Sequence, residues 1–235
     1  MPRGRLVAPI ITVLAGLCLS ACSQVLPAGD AVTQEREISR FSSVVLETSG
    51  DLVISVGGSP RLKVTAGDNI IDKLTSRVEN DTLHLGKSAG DNIRGDVSYM
   101  LTTSALASLK VVGSGNAKVD FTGSPSLDLT IDGSGSVEAT NVDAQSVKAD
   151  LSGSGRITVS GKAASQNVAV RNSGEYTAFD LAGESAAVTV DGSGKVQVNV
   201  TGMLDAKVDG SGSVTYRGNP RVQQEVNGSG SVSAA

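Results

Sequence analysis

Seven Gly-Ser-Gly-like triplets in the second half of the sequence are candidates for phosphate or cation binding. Their central serines are Ser114, Ser134, Ser154, Ser173, Ser193, Ser211 and Ser229, spaced 18 to 20 residues apart. A glycine-rich phosphate-binding loop needs a helix after the turn, whereas alternating apolar residues typical of a strand follow each triplet here. Calcium-binding β-helix repeats have a nine-residue spacing, which this sequence lacks. The triplets are therefore interpreted as structural corners.

An acidic column before the corners is the second candidate for chemistry. Its members are Asp132, Asp191, Asp209 and Asn227. Carboxylate and amide oxygens at one position could hold a cation, but Val112, Ser152 and Arg171 occupy the same position in other copies. Asp and Asn are also ordinary turn formers. We prefer the turn role and assign no metal ligand.

Catalytic groups are sparse. The single histidine, His84, lies between Leu83 and Leu85 and is expected to face outward from a strand. Without an identified acid partner it does not complete a serine hydrolase site. Aromatic residues, the usual platforms for sugar rings, make up 3% of the chain. We predict no enzyme, no catalytic residue and no cofactor.

The N-terminus has the features of an export signal. A basic start, MPRGR, precedes an apolar run of 14 residues at 6–19, which is too short to span roughly 30 Å of hydrocarbon at about 1.5 Å per residue. The next tetrad, LSAC at 19–22, resembles the lipobox of bacterial lipoproteins, whose cysteine is acylated. That resemblance implies lipid attachment at Cys22; cleavage by ordinary signal peptidase, the alternative, would leave a free thiol. Ser23 in place of Asp, by similarity to the enterobacterial sorting rule, implies the outer membrane.

These features divide the chain into residues 1–21 as signal peptide, 22–37 as lipidated tether and 38–235 as folded domain. Cys18 leaves with the signal and Cys22 takes lipid, so no disulfide is predicted. Of the 20 basic residues, Arg3 and Arg5 lie in the signal, which leaves 18 against 24 acidic residues. With this charge and no basic patch, nucleic acid is excluded as a partner. The expected partners are the membrane, through the anchor, and an envelope protein or glycan.

Four apolar columns flank the corners. The residues three and five positions on either side of each central serine are apolar in every copy except at Gln224, as with Leu129, Ile131, Val137 and Ala139 around Ser134. A flexible Gly-Ser linker has no reason to keep such columns, so a linker is excluded. One unit cannot bury its apolar face alone, and stacked units bury a continuous core.

The repeats favour a solenoid over an antiparallel meander, because a meander would reverse alternate units. We predict an all-β fold: a single-stranded, right-handed parallel β-helix (β-solenoid) with Gly-Ser-Gly corners. Residues 106–235 provide seven coils, and residues 38–105 provide a less regular β-region. That region is expected to contain a helical turn at 68–74 capped by Asp68 or Asn69, and a hairpin about Asn80 and Asp81.

The last coil is the weak point of the predicted solenoid, because its open edge needs a cap. Either Gln224 and Asn227 make this edge polar, or the edge pairs with another copy and the protein is a homo-oligomer.

The irregular part strengthens a family resemblance. The segments FSSVVLETSGDLVISVGG (41–58) and VTAGDNIIDKLTSRVENDTLHL (64–85), with the lipobox and the repeated triplets, resemble the bacterial family "putative auto-transporter adhesin, head GIN domain" over about residues 38 to 230. The family is a domain of unknown function. The resemblance implies a β-helical exported domain, often on a lipoprotein, and no binding residues are carried over from it.

Two functions follow from these expectations. The first is a non-enzymatic envelope lipoprotein whose β-helix offers polar, Ser/Thr-rich faces to a partner. The second is a periplasmic β-helix that binds or degrades polysaccharide. Small polar flanks favour the first function, and a groove lined with carboxylates and aromatic rings favours the second.

Overall fold

The computed structural model describes residues 29–91, 93–121 and 125–235. Alternation of apolar and polar residues produces strands throughout. The N-terminal strands are β1 (Ala31–Arg36), β2 (Ser43–Leu46), β3 (Asp51–Val56), β4 (Arg61–Gly67), β5 (Leu74–Glu79), β6 (Thr82–Lys87) and β7 (Ser98–Thr103), with a 3-10 turn at Ile71–Lys73. The repeats form β8 (Ser108–Gly113), β9 (Asn116–Asp120), β10 (Ser126–Gly133), β11 (Ser136–Gly153), β12 (Arg156–Asn172), β13 (Glu175–Gly192), β14 (Lys195–Gly210), β15 (Ser213–Arg217), β16 (Arg221–Gly228) and β17 (Ser231–Ala234).

The repeats stack as parallel coils, which confirms the predicted β-solenoid. Each long strand from β11 to β14 runs from one corner to the next and pairs in parallel with the coils on both sides. Gly133 lies opposite Gly153, and Gly192 lies opposite Gly210. The corners therefore stand in vertical register.

The four apolar columns form the core. In the repeat around Ser134, Leu129, Ile131, Val137 and Ala139 are each at most 1% exposed. The same positions stay buried in every coil up to Val208 and Val214. The interior is filled by small aliphatic side chains because opposite walls of a coil lie close together.

The corner glycines have backbone conformations that other residues rarely adopt. Gly133 has a φ of 136° and Gly153 a φ of 122°, in the region that a Cβ disfavours. Carbonyl oxygens of one corner also accept N–H groups from the corner above, as in Ser154 N to Gly133 O at 3.0 Å. Glycine thus supplies both the turn and the close approach between coils.

The less regular region is confirmed, but it contains one coil in register with the repeats. β2 and β3 pair in parallel with β8 and β9. Their corner is centred on Ser49, and the residues three and five positions away are Val44, Leu46, Leu52 and Ile54, all buried. This coil is an eighth copy of the repeat, which the sequence pattern did not predict.

Antiparallel strands close the N-terminal end of the solenoid. β5 covers β6, β4 covers β7, and β1 covers β4. Residues 31–36 were predicted to belong to the tether, but they form β1. Their sequence, AVTQER, does not alternate between apolar and polar residues. Arg36 holds β1 in place by donating to the carbonyls of Ile71 and Leu74, both at 2.8 Å.

Two local predictions in this cap have different outcomes. The hairpin about Asn80 and Asp81 is confirmed. Both residues have positive φ values, 48° and 62°, as the two central residues of a type I′ turn require. The helical turn is confirmed at Ile71–Lys73, but its capping is wrong. The N-cap residue is Ile70, and no side chain caps the turn.

Candidate functional site

The outward flanks of the coils are the accessible surface that the repeat builds. Strand alternation sends every second side chain outward, and parallel stacking places these side chains one coil apart. Oppositely charged residues pair across neighbouring coils: Lys118 with Glu138 at 3.0 Å, Arg156 with Glu175 at 2.7 Å, and Lys207 with Glu225 at 3.2 Å. Because these pairs are exposed to water and salt, each contributes little to stability. They give a flank of mixed charge.

A shallow groove of about 540 Å³ crosses the coils, and its serines lie eight residues before the corner serines. Its wall includes Ser146, Ser165 and Ser185, which pair with one another in register. Other lining residues are Asp128, Lys148, Asn167, Met203 and Asp205. The groove therefore offers small hydroxyls, an amide and charges of both signs.

The carboxylates of the groove are too far apart for glycoside hydrolysis. Asp128 and Asp205 belong to one outward column and are four coils apart in register. Four steps of about 4.8 Å make roughly 19 Å, whereas paired catalytic carboxylates lie about 5–9.5 Å apart. The geometry of this pair therefore suits recognition rather than cleavage of a sugar chain.

Of the six aromatic side chains, all in the described residues, four are buried, one is covered by an arginine, and Tyr216 is partly exposed, so no group of open rings forms a sugar platform. Phe41, Tyr99, Phe121 and Tyr176 are at most 4% exposed. Phe179 is covered by the Arg217 guanidinium, which lies 4.0 Å from the ring centroid. Stacking on a sugar ring requires an open aromatic face, so the small polar flanks favour the first of the two predicted functions.

The structure separates the acidic column that precedes the corners. Asp191 and Asp209 are neighbours, while Asp132 lies three coils from Asp191. Asp209 accepts a hydrogen bond from Asn227 Nδ2 at 2.8 Å, and its carboxylate lies 3.9 Å from Lys207 Nζ. In the described ranges, no group of three or more His, Cys, Asp or Glu side chains could hold a metal ion.

His84 faces outward from β6, as predicted. Its Nδ1 lies 3.3 Å from Glu47 Oε1 on the neighbouring coil, and its side chain is 32% exposed. Cys22, the predicted lipid-attachment residue, lies outside the described residues, and so do Cys18 and the signal peptide.

One polar pair lies inside the solenoid. Tyr176 is fully buried and donates its hydroxyl to Gln166 Oε1 at 3.1 Å, while Gln166 Nε2 has no hydrogen-bond partner in the described residues. Burial raises the pKa of Tyr176, and burial is also the main cause that raises the pKa of Tyr99. Folding therefore favours the neutral form of both phenols.

Replacing Tyr176 by phenylalanine is expected to lower the free energy of unfolding by about 1–2 kcal/mol, because Gln166 Oε1 then stays buried without a donor. The double variant Tyr176→Phe/Gln166→Met replaces both polar partners by apolar groups and is expected to recover most of this loss. Urea unfolding followed by circular dichroism measures both changes. A double variant no more stable than the single one would contradict this interpretation.

At the edge of the stack, the side chains of the last coil hold it to the coil below. Hydrogen bonds from Asn227 and Lys207 lower the pKa of Glu225. The hydrogen bond to Glu225, with the nearby Asp209 charge, raises the pKa of Lys207.

Sequence reasoning missed the groove, although a signal for it was present. Its serines recur at a fixed distance from the corners, eight residues before Ser154, Ser173 and Ser193. The outward columns could have been aligned in the same way as the inward ones.

The vertical corners, aliphatic core and polar flanks define the chain as a β-solenoid domain of the kind that offers extended surfaces for binding. The chain belongs to the family described as "Putative auto-transporter adhesin, head GIN domain", whose profile matches residues 40–220. The family is adhesin-like, which points to a cell-surface or envelope location.

Solved structures have the same fold. A putative adhesin from Bacteroides fragilis superimposes with a TM-score of 0.81 at 21% identity, covering 89% of this chain and 100% of that chain. Two proteins from Parabacteroides distasonis follow, each covering 89% of this chain and 99% of their own. One is described as a putative lipid binding protein, with a TM-score of 0.74 at 24% identity, and one as a putative adhesin, with a TM-score of 0.72 at 22% identity.

No curated protein matches the sequence of the chain significantly. Among the described residues, no helix has the length and apolar character needed to cross a bilayer.

Proposed function

We propose that the protein is a non-enzymatic lipoprotein of the bacterial outer membrane whose solenoid binds a partner in the envelope through its polar flanks. The observation that carries the proposal is the flank itself, where charges are paired between coils and five of the six aromatic rings are buried or covered. Such a surface suits many weak polar contacts along its length. Membership of an adhesin-like family supports the same function.

The anchor is proposed at Cys22. Nine positions separate Cys22 from the start of β1, and β1 lies at the closed N-terminal end of the solenoid. Nine residues reach at most about 30 Å, so the anchor would hold that end near the membrane. Two or three acyl chains on one residue make attachment stable, whereas a single chain is marginal.

Replacing Cys22 by alanine is expected to move the protein from the membrane fraction to the soluble fraction and to abolish labelling by radioactive palmitate. Cys18→Ala is the matched control, because Cys18 lies in the apolar run and would leave with the signal. The control should be labelled and fractionate as the wild type does. Unchanged membrane location and labelling of the Cys22→Ala variant would contradict the proposed anchor.

Glycan binding in the groove is the second candidate, and the specific observation for it is the row of serines beside Lys148 and Asn167. A glycan array and a pull-down from envelope extracts distinguish the two. Capture of a protein alone supports the first candidate, and binding to defined glycans supports the second. One structural neighbour is described as a putative lipid binding protein. In this protein the coil interior is filled by aliphatic side chains and leaves no room for a lipid. The only lipid in this proposal is therefore the one attached to Cys22.

A further inference from the structure

The last coil differs from all the coils below it. Within the described ranges, β16 and β17 pair only with β14 and β15 and leave their other edge unpaired. Its inward-facing residues are Val222, Gln224, Val226, Val232 and Ala234, all partly or fully exposed. Val226 is 38% exposed, whereas Val208 directly below it is fully buried. The apolar interior is therefore open at this end.

The unpaired edge also presents a defined row of backbone groups. In a parallel ladder, alternate residues bond to each neighbouring strand. Asp128 N donates to Ala107 O of the coil below at 2.8 Å, and the continuous register carries this orientation up to Gln223. Gln223 and Glu225 thus bond to β14, while Val222, Gln224 and Val226 direct their N–H and C=O groups to the open edge.

The opposite end of the solenoid does not offer a matching edge. Antiparallel β5 and β4 cover it, and β1 lies outermost on one side. The outer strands carry Arg77 and Glu79 in β5 and Glu35 and Arg36 in β1. Charged side chains on an edge strand oppose further pairing. This opposes a head-to-tail stack of copies and leaves the C-terminal edge to pair with its own equivalent.

We propose that two copies of the protein pair through β16, antiparallel, about a two-fold axis at Gln224. In this register each Val222 lies opposite Val226 of the partner subunit, and the two Gln224 residues face each other. Every residue whose backbone faces the edge then lies in a hydrogen-bonded pair that exchanges two bonds. If the register is shifted toward the start of β16, Pro220 enters the pairing and cannot donate a hydrogen bond, because proline has no N–H. If it is shifted toward the end of β16, the pairing reaches the corner at Gly228, where φ is 120° and the strand ends.

The two-fold axis places the closed ends of the two solenoids at opposite ends of the dimer. Ten strand-to-strand steps separate β1 from β17. The dimer contains these ten steps twice, plus one step across the contact. At about 4.8 Å for each step, the two β1 strands lie roughly 100 Å apart. This last step rests on the proposed anchor: with lipid at both N-termini, the dimer joins two facing membrane surfaces rather than neighbours on one membrane.

Proline at position 224 tests the pairing, because the Gln224 N–H faces the open edge and has no strand partner among the described residues. Gln224→Pro therefore removes no ladder bond within one copy but blocks the centre of the proposed contact. The protein with Cys18→Ala and Cys22→Ala, so that lipid has no part, is purified from the soluble fraction and studied by sedimentation over a concentration series. We expect a dimer whose dissociation constant rises at least tenfold in the Gln224→Pro variant, with an unchanged circular dichroism spectrum.

A cross-link tests the register independently of any folding defect. In the same cysteine-free chain, Gln224→Cys should form a disulfide-linked dimer under mild oxidation, since paired Cα atoms about 5.5 Å apart suit a disulfide. Gln223→Cys, one residue away and facing outward, is the matched control and should not form the disulfide-linked dimer, because its partner-subunit equivalent lies diagonally across the contact at more than about 7 Å. A chain that is monomeric throughout the series, or cross-linking of Gln223→Cys alone, would overturn the proposal while leaving the Cys22 anchor test unaffected.

Discussion

Replacing Gly133 by alanine is expected to lower the free energy of unfolding by about 3 kcal/mol. Gly133 has a φ of 136°, and a Cβ added there would lie 2.3 Å from the Gly113 carbonyl oxygen of the coil below. The backbone strain costs about 1–3 kcal/mol, and displacing the neighbouring corner adds to it because that oxygen accepts from Ser134 and Gly135. Urea unfolding monitored by circular dichroism gives the loss.

Gly113→Ala separates the two causes of this loss. Gly113 occupies the same corner position with a φ of 94°, but nothing lies within 4 Å of an added Cβ. We expect it to cost only the left-handed strain, about 1–2 kcal/mol. Ser134→Ala, on an exposed corner side chain, should be neutral. Equal losses at Gly133 and Gly113 would show that the close approach between corners contributes nothing.

The coils were predictable from the sequence because parallel stacking repeats the same contacts at every turn. Each corner needs glycine for the same backbone angle, and each inward position needs an apolar side chain, so the pattern recurs every 18 to 20 residues. Ile131 and Leu151, for example, occupy equivalent buried positions in neighbouring coils. A repeated physical requirement leaves a repeated pattern.

The missed elements are those where the requirement is not repeated. The coil of β2 and β3 has Thr48 in place of the first corner glycine, and 65 residues separate Ser49 from Ser114, so its period is lost although its four apolar positions are present. β1 is polar because it lies on the outside of β4, and its position depends on contacts of Arg36 with the distant residues Ile71 and Leu74. Such long-range contacts leave no local pattern.

The candidate site was less predictable than the coils for a related reason. Outward positions need only be compatible with water, so Asp128, Lys148 and Asn167 succeed one another in a single column of the groove. Only the stacking of the coils brings these side chains onto one surface. The acidic column before the corners shows the converse, since a shared sequence position did not bring Asp132 near Asp191.

Replacing Leu151 by alanine is expected to lower the free energy of unfolding by about 3 kcal/mol. Leu151 is fully buried between Ile131 and Val170 of the adjacent coils, and truncation leaves a cavity in a narrow core that relaxes little. The matched control is Val226→Ala, at the same column position in the open coil, where 38% of the side chain is exposed. At concentrations where the protein is monomeric, we expect this change to cost less than about 1 kcal/mol.

The difference between these two variants measures how unevenly stability is distributed along the solenoid. An inner coil is stabilised by its neighbours on both sides, whereas within the described ranges the coil of β16 and β17 pairs only with the coil of β14 and β15. Under dimer-forming conditions the Val226→Ala loss should grow, because pairing buries Val226 against Val222 of the partner subunit, while the Leu151→Ala loss should not change. Urea unfolding of both variants at low and high protein concentration tests this, and equal losses at Leu151 and Val226 in the monomer would contradict an open C-terminal end.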